Sequence, residues 1–193
     1  VKIACIGWGS LVWQDDHPKA FAQIGPWKPG GPGVKVEFAR ISKDHRVTLV
    51  LDRDSPTSQA WWCLMEAQEL RQAVKLLADR EGIGEVYQKT SVGSWKCGEP
   101  EPENPFSLAL WASQNGVDAV IWTKLGCSSP NPSGGDPIPR EKPSLSKLIE
   151  HVIFFKNDTV THEKIREYVE KAPAEIITTY RKDLENFLGI ERI

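Results

Sequence analysis

Paired cysteines are missing from this chain. Cys5, Cys63, Cys97 and Cys127 stand far apart, and no C-x-x-C spacing supports a zinc ribbon or a thioredoxin-like centre. Basic surplus is missing too: the formal net charge is -2 and no Lys/Arg block occurs, so nothing neutralises a phosphate backbone or an anionic bilayer. No apolar run approaches the roughly 20 residues of a spanning helix. The opening residues carry neither a basic n-region nor a long apolar h-region, so the expected compartment is the cytoplasm, with the thiols reduced and mostly buried. A nucleic-acid or membrane partner is therefore not expected.

What is present suits an ordinary folded domain. Hydrophobic residues make up 40% of the 193 and charged ones 26%, too apolar for a disordered chain. The length predicts a single domain over 1–193. Tryptophan is over-used, with 8 copies against 3 tyrosines and 1 methionine, and several lie beside glycines or at strand ends, as in an aromatic-walled cavity.

Pattern and punctuation predict a strand over Lys2–Gly7 that runs into a glycine turn, and then an irregular proline and glycine loop over 25–33. A hairpin of Val34–Ile41 and Arg46–Leu51 follows. A strand over Gln59–Met65 leads to a helix whose Leu70, Val74 and Leu77 share one face, and Gly82 ends that helix at the C′ position. Glu85–Trp95 is expected to be extended. Asn104 and Pro105 are expected to start a helix closed by Gly116, and Val117–Leu125 reads as a strand.

The stretch 126–143 is a long proline-rich loop of the kind that forms functional rims. Helices are expected from Ser144, from Thr161, and over Pro173–Leu188 up to Gly189. The fold class is α+β: a strand-rich body over about 1–125, the loop 126–143, and C-terminal helices over 144–189.

Several familiar motifs fail on context. Gly7-x-Gly9 lacks the third glycine of a dinucleotide site, since position 12 is Val, and no helix start follows. Ser10 has Trp8 and Val12 where a nucleophile elbow needs glycines. His17, His45, His151 and His162 form no metal-ligand spacing, so all four read as surface or structural and no metal or cofactor is expected. Glu81 is different. It ends a helix just before Gly82, where exposed carbonyls already carry negative partial charge. Either it is a solvated glutamate near Arg80, or its proton affinity is raised by the helix end and partial burial, as suits a general base.

The loop Gly7-Trp8-Gly9-Ser10-Leu11 resembles the Y-G-S-(N)-L loop of the gamma-glutamylcyclotransferase-like proteins, and Arg80-Glu81-Gly82 followed by Tyr87 is similar to that family's E-G segment. The resemblance spans roughly residues 2 to 95. It implies a small mixed β-barrel with flanking helices, Glu81 as catalytic base, and Trp8, Gly9, Ser10, Leu11 and Tyr87 against the substrate. The implied reaction is attack of a γ-glutamyl α-amine on its own γ-carbonyl, which releases 5-oxoproline without a cofactor.

The sequence departs from that pattern where Trp8 replaces the usual tyrosine, where Leu11 directly follows Ser10, and where Gln88 follows Tyr87. Another reading keeps the same barrel as a non-catalytic module that binds a small ligand or peptide. In a further one the C-terminal helices pair with another chain.

Overall fold

The computed structural model of the chain describes residues 1–13 and 23–191. Its strands are β1 (Ile3–Gly7), β2 (Gln23–Lys28), β3 (Gly33–Ile41), β4 (Val47–Leu51), β5 (Thr57–Gln59), β6 (Trp61–Met65), β7 (Val92–Lys96), β8 (Ala119–Thr123), β9 (Ser128–Ser129) and β10 (Ile138–Pro139). The helices are α1 (Leu70–Arg80), α2 (Gln88–Ser91), α3 (Leu108–Asn115), α4 (Leu145–Phe154), α5 (Thr159–Lys171) and α6 (Arg181–Leu188). This is a mixed α+β fold of sheets with flanking helices. The chain divides into two compact units, Val1–Val34 with Thr57–Leu125 and Lys35–Pro56 with Gly126–Ile193.

The first unit is built on a five-stranded sheet ordered β2-β6-β1-β8-β7. β1 lies at its centre, parallel to β8 and antiparallel to β6, and all five of its residues are buried. Burial on both faces is the condition that selects a continuous apolar run such as Ile3-Ala4-Cys5-Ile6 over strict alternation. On one face Ile3, Cys5, Cys63, Met65, Val92, Ala119 and Ile121 cluster with Ala73, Leu77 and Ala78 of α1. Of the expected helical face, Leu77 is fully buried, while Leu70 and Val74 pack at the cluster's margin.

The segment 25–33, expected to be irregular, contributes an edge strand instead. β2 pairs with β6 through a register shift between Ile24 and Lys28. An edge position with a bulge tolerates Pro26, whose missing N–H would break a central ladder. Glu85–Ser91 is helical rather than extended, because β8 covers only the register of Val92–Lys96 and leaves Val86 and Tyr87 in solvent at 87% and 65% exposure. α3 starts at Leu108, not at Pro105: its first N–H groups are capped by Glu101, whose Oε2 accepts from Leu108 at 3.0 Å and Oε1 from Ala109 at 2.9 Å.

In the second unit the β3/β4 hairpin forms as read from the sequence, closed by Ser42 N–H to the Arg46 carbonyl at 3.0 Å. The stretch 126–143 is not wholly irregular. β9 and β10 pair within it, and β9 aligns parallel to β3 at Arg40 and Ser128, giving the order β10-β9-β3-β4. Ser144 caps α4 as expected, whereas α5 is capped by Asp158, which accepts from Thr161 N–H at 3.2 Å. The helix expected over Pro173–Leu188 is only Arg181–Leu188. The buried Arg181 guanidinium takes the carbonyls of Ala172, Pro173 and Ile176 at 3.0–3.3 Å, and the only backbone donor on the Pro173 oxygen among the described residues is Ile176 at 3.1 Å, a single turn rather than a helical ladder. Of the expected apolar stripe, Ile177 and Phe187 face solvent. No helix among the described residues is long and apolar enough to cross a membrane.

Candidate functional site

The end of α1 is fixed by its own backbone. Glu81 occupies the C-cap with its N–H on the Leu77 carbonyl at 3.0 Å, and Gly82 follows at φ +65, a conformation that favours glycine. Ile83 N–H then reaches back to Ala78 at 2.8 Å and Gly82 N–H to Asp79 at 3.3 Å, the reciprocal bonds of a Schellman ending. The sequence had placed this stop correctly.

Glu81 is not a solvated surface glutamate: its side chain is 16% exposed and meets Arg80 Nη1 at 3.4 Å, with the Arg80 side chain 6% exposed. The pair sits within electrostatic reach of Cys5. Burial pushes the Cys5 thiol well above its usual range, and Cys63 and Glu81 push it the same way against Arg80. Cys63, the cross-strand partner of Cys5 in the β1/β6 register, is pushed up to about 12 by burial. Both thiols are thus protonated at neutral pH and are poor nucleophiles. Arg80, Cys5 and Cys63 had no motif to mark them. The signal available was alternation, since Ile3/Cys5 and Cys63/Met65 are i, i+2 pairs on one sheet face.

After β1 the glycine loop closes into a short 3-10 turn over Ser10–Val12, with Val12 N–H on the Gly9 carbonyl at 2.9 Å. Leu11 is buried in the same cluster as Cys5, Cys63 and Ala78, and Val12 and Ile83 pack against it. The structure therefore brings the loop and the end of α1 to one side of the sheet. Ser10 and Gly9 are half-buried. Trp8 is buried at 3% exposure, and Tyr87 lies outside the cluster, in solvent.

Gly7 has a packing reason of its own, since a Cβ there would meet the Trp27 ring at 3.1 Å. Position 9 has φ -126, which any residue adopts. His17 lies outside the described residues. His45 and His151 belong to the second unit, where His151 is buried and its Nε2 lies 2.9 Å from the His45 carbonyl. All four cysteines are free thiols. Among the described residues no group of three His, Cys, Asp or Glu side chains gathers to hold a metal ion. Comparison of the chain with family models, with curated proteins and with solved structures finds no match.

Proposed function

We propose that the chain is a cofactor-free cyclotransferase that cleaves a γ-glutamyl amide, with Glu81 as general base, on a small mixed barrel of the gamma-glutamylcyclotransferase type. The observation that carries this reading is the place of one carboxylate. Glu81 is largely shielded from water at a helix end, beside a buried arginine and within electrostatic reach of the strand that feeds the glycine loop. A carboxylate held this way has a fixed position and limited contact with bulk water, as a proton acceptor beside a bound ammonium needs.

In the reaction Glu81 takes a proton from the substrate's α-ammonium. The freed nitrogen attacks the γ-carbonyl carbon, a C–N bond forms, and the carbonyl oxygen becomes an oxyanion. Collapse breaks the original amide bond and expels an amine, which takes the proton held by Glu81 and the second proton shed by the attacking nitrogen as it becomes the lactam N–H, and so leaves as the ammonium ion. The products are 5-oxoproline and that amine. Ser10 and Leu11 open the 3-10 turn, so their N–H groups have no acceptor within it and suit the oxyanion or the substrate carboxylate. Trp8, Gly9 and Tyr87 complete the proposed substrate contacts.

The test is incubation with a panel of γ-glutamyl amides that differ in leaving amine, read by mass spectrometry. The expected result is equimolar 5-oxoproline and free amine from at least one member. A panel that yields no 5-oxoproline rejects the reading. Saturable binding without turnover would favour a ligand-binding module instead.

A further inference from the structure

We propose that the outer edge of β7 binds the free C-terminal end of a partner peptide, which adds to the sheet as an antiparallel strand and sets its terminal carboxylate against Lys89 and Lys124. β7 is the last strand of its sheet. Bonds on both sides fix which of its backbone groups face outward. Lys124 N–H donates to the Ser91 carbonyl at 2.7 Å and Cys97 N–H to Asp118 at 2.9 Å, so odd-numbered residues face β8. Lys96 faces away: its N–H donates to Glu99 Oε2 at 3.2 Å and its carbonyl accepts from Glu99 N–H at 3.0 Å.

By the alternation of an antiparallel ladder, Val92 and Ser94 face outward as well. Val92 N–H is engaged by the Gln88 carbonyl. Ser94 is left, among the described residues, with both its N–H and its carbonyl unpaired, and Val92 with its carbonyl. One residue of an added strand would exchange two bonds with Ser94, and the residue two further on would donate to Val92.

The direction and the terminus follow from this row. Antiparallel addition runs the peptide's C-terminal direction toward Val92. The ladder must stop there, because Val92 has no N–H to offer the next carbonyl. A residue that ends in a carboxylate needs no such donor.

At that end lie the cations of the groove. Lys89, on α2, and Lys124, opposite Ser91, line the same cavity of about 320 Å³. Neither has an ion-pair partner among the described residues. The carboxylates at the other end are already engaged, Glu99 by Lys96 N–H and Glu101 by the start of α3. Between the two ends the Trp122 indole lies across Gly93, where a Cβ would be 2.1 Å from the ring. Unpaired positive charge and an open row of backbone groups together fit an extended peptide with an anionic end.

The experiment uses the full chain and one β-prone hexapeptide, fluorescein-labelled Ala-Thr-Val-Ser-Val-Ala, with either a terminal carboxylate or a terminal amide, titrated by anisotropy at low salt. The carboxylate form is expected to bind at least tenfold more tightly than the amide, about the effect of losing one charge-assisted contact. Lys89→Gln and Lys124→Gln should each weaken the carboxylate form severalfold and leave the amide form unchanged. Methylation of the peptide's serine nitrogen, which would donate to the Ser94 carbonyl, should abolish saturable binding. Equal affinity of the two forms, lysine variants without effect, or no saturation up to millimolar peptide would each overturn the proposal.

Discussion

The Glu37 carboxylate on β3 accepts the backbone N–H of Thr179, 142 positions later in the chain, at 2.8 Å. The same group accepts from Tyr180 N–H at 3.3 Å and from its own neighbour Phe38 N–H at 2.9 Å, and Glu37 is 1% exposed. A buried anion is retained because several N–H donors replace its water. Glu37→Ala should leave those donors unpaired, at about 1–3 kcal/mol apiece, and lower the stability by roughly 3 kcal/mol in total. Urea unfolding would measure it. A loss below about 0.5 kcal/mol, the level of an ordinary surface change, would show that the donors find other partners.

Gly93→Ala tests the packing of β7 against β8. The new methyl would sit 2.1 Å from the Trp122 ring, so the indole must move. Overpacking of this kind costs about 1–3 kcal/mol. Pairing the change with Trp122→Phe should recover part of the loss, and a strictly additive double variant would refute the direct clash.

The elements that the sequence announced were those with local signals. The hairpin at 34–51 has alternation and a turn, and α1 has an apolar face and a stop at Gly82. Three features depended on particular partners that no pattern in their own segment marks, and were therefore hidden. β2 exists because β6 offers an edge that tolerates Pro26, α3 begins where Glu101 reaches across to cap it, and 173–180 is kept out of helix by Arg181. At the candidate site the position of Glu81 could be read from the glycine after it. The burial of Arg80 beside it could not, since arginines are rarely buried and only the packed sheet desolvates this one.

His151 should make the second unit acid-sensitive. Burial holds its imidazolium form below the ordinary histidine range, with the nearby His45 ring acting in the same direction and the His45 carbonyl opposing. The unfolded chain then binds a proton near pH 6.5 that the folded chain resists, so stability is full above that pH and falls as the pH drops toward the folded value. The urea midpoint should decline between pH 7 and pH 5, and His151→Gln should flatten that decline. An identical pH profile in the variant would assign the sensitivity elsewhere.

Ser10→Ala should reduce kcat/KM by less than about tenfold on any γ-glutamyl amide the protein turns over. In the proposed mechanism the loop acts through backbone N–H groups, which the change leaves in place. A covalent adduct on Ser10, or complete loss of turnover in a folded variant, would point to a nucleophilic hydroxyl.

Glu81→Gln keeps the size of the side chain and an oxygen for Arg80 but cannot accept a proton at neutral pH, so it separates base chemistry from packing. Two effects on stability oppose each other. Removing a negative charge from the helix C-terminus gains about 0.3–1 kcal/mol, while weakening a charge-assisted contact to a buried guanidinium loses about 1.5–3 kcal/mol. The contact is long at 3.4 Å and the amide oxygen retains part of it, so the expected outcome is a folded protein destabilised by roughly 1 kcal/mol. Its kcat should fall by about 100-fold or more with substrate binding largely kept, as removal of a general base requires. The pH dependence of residual turnover should lose its acidic limb, which a purely structural lesion would leave in place. Near-normal turnover would transfer the role to Glu66 or Glu85, both exposed carboxylates on the same unit.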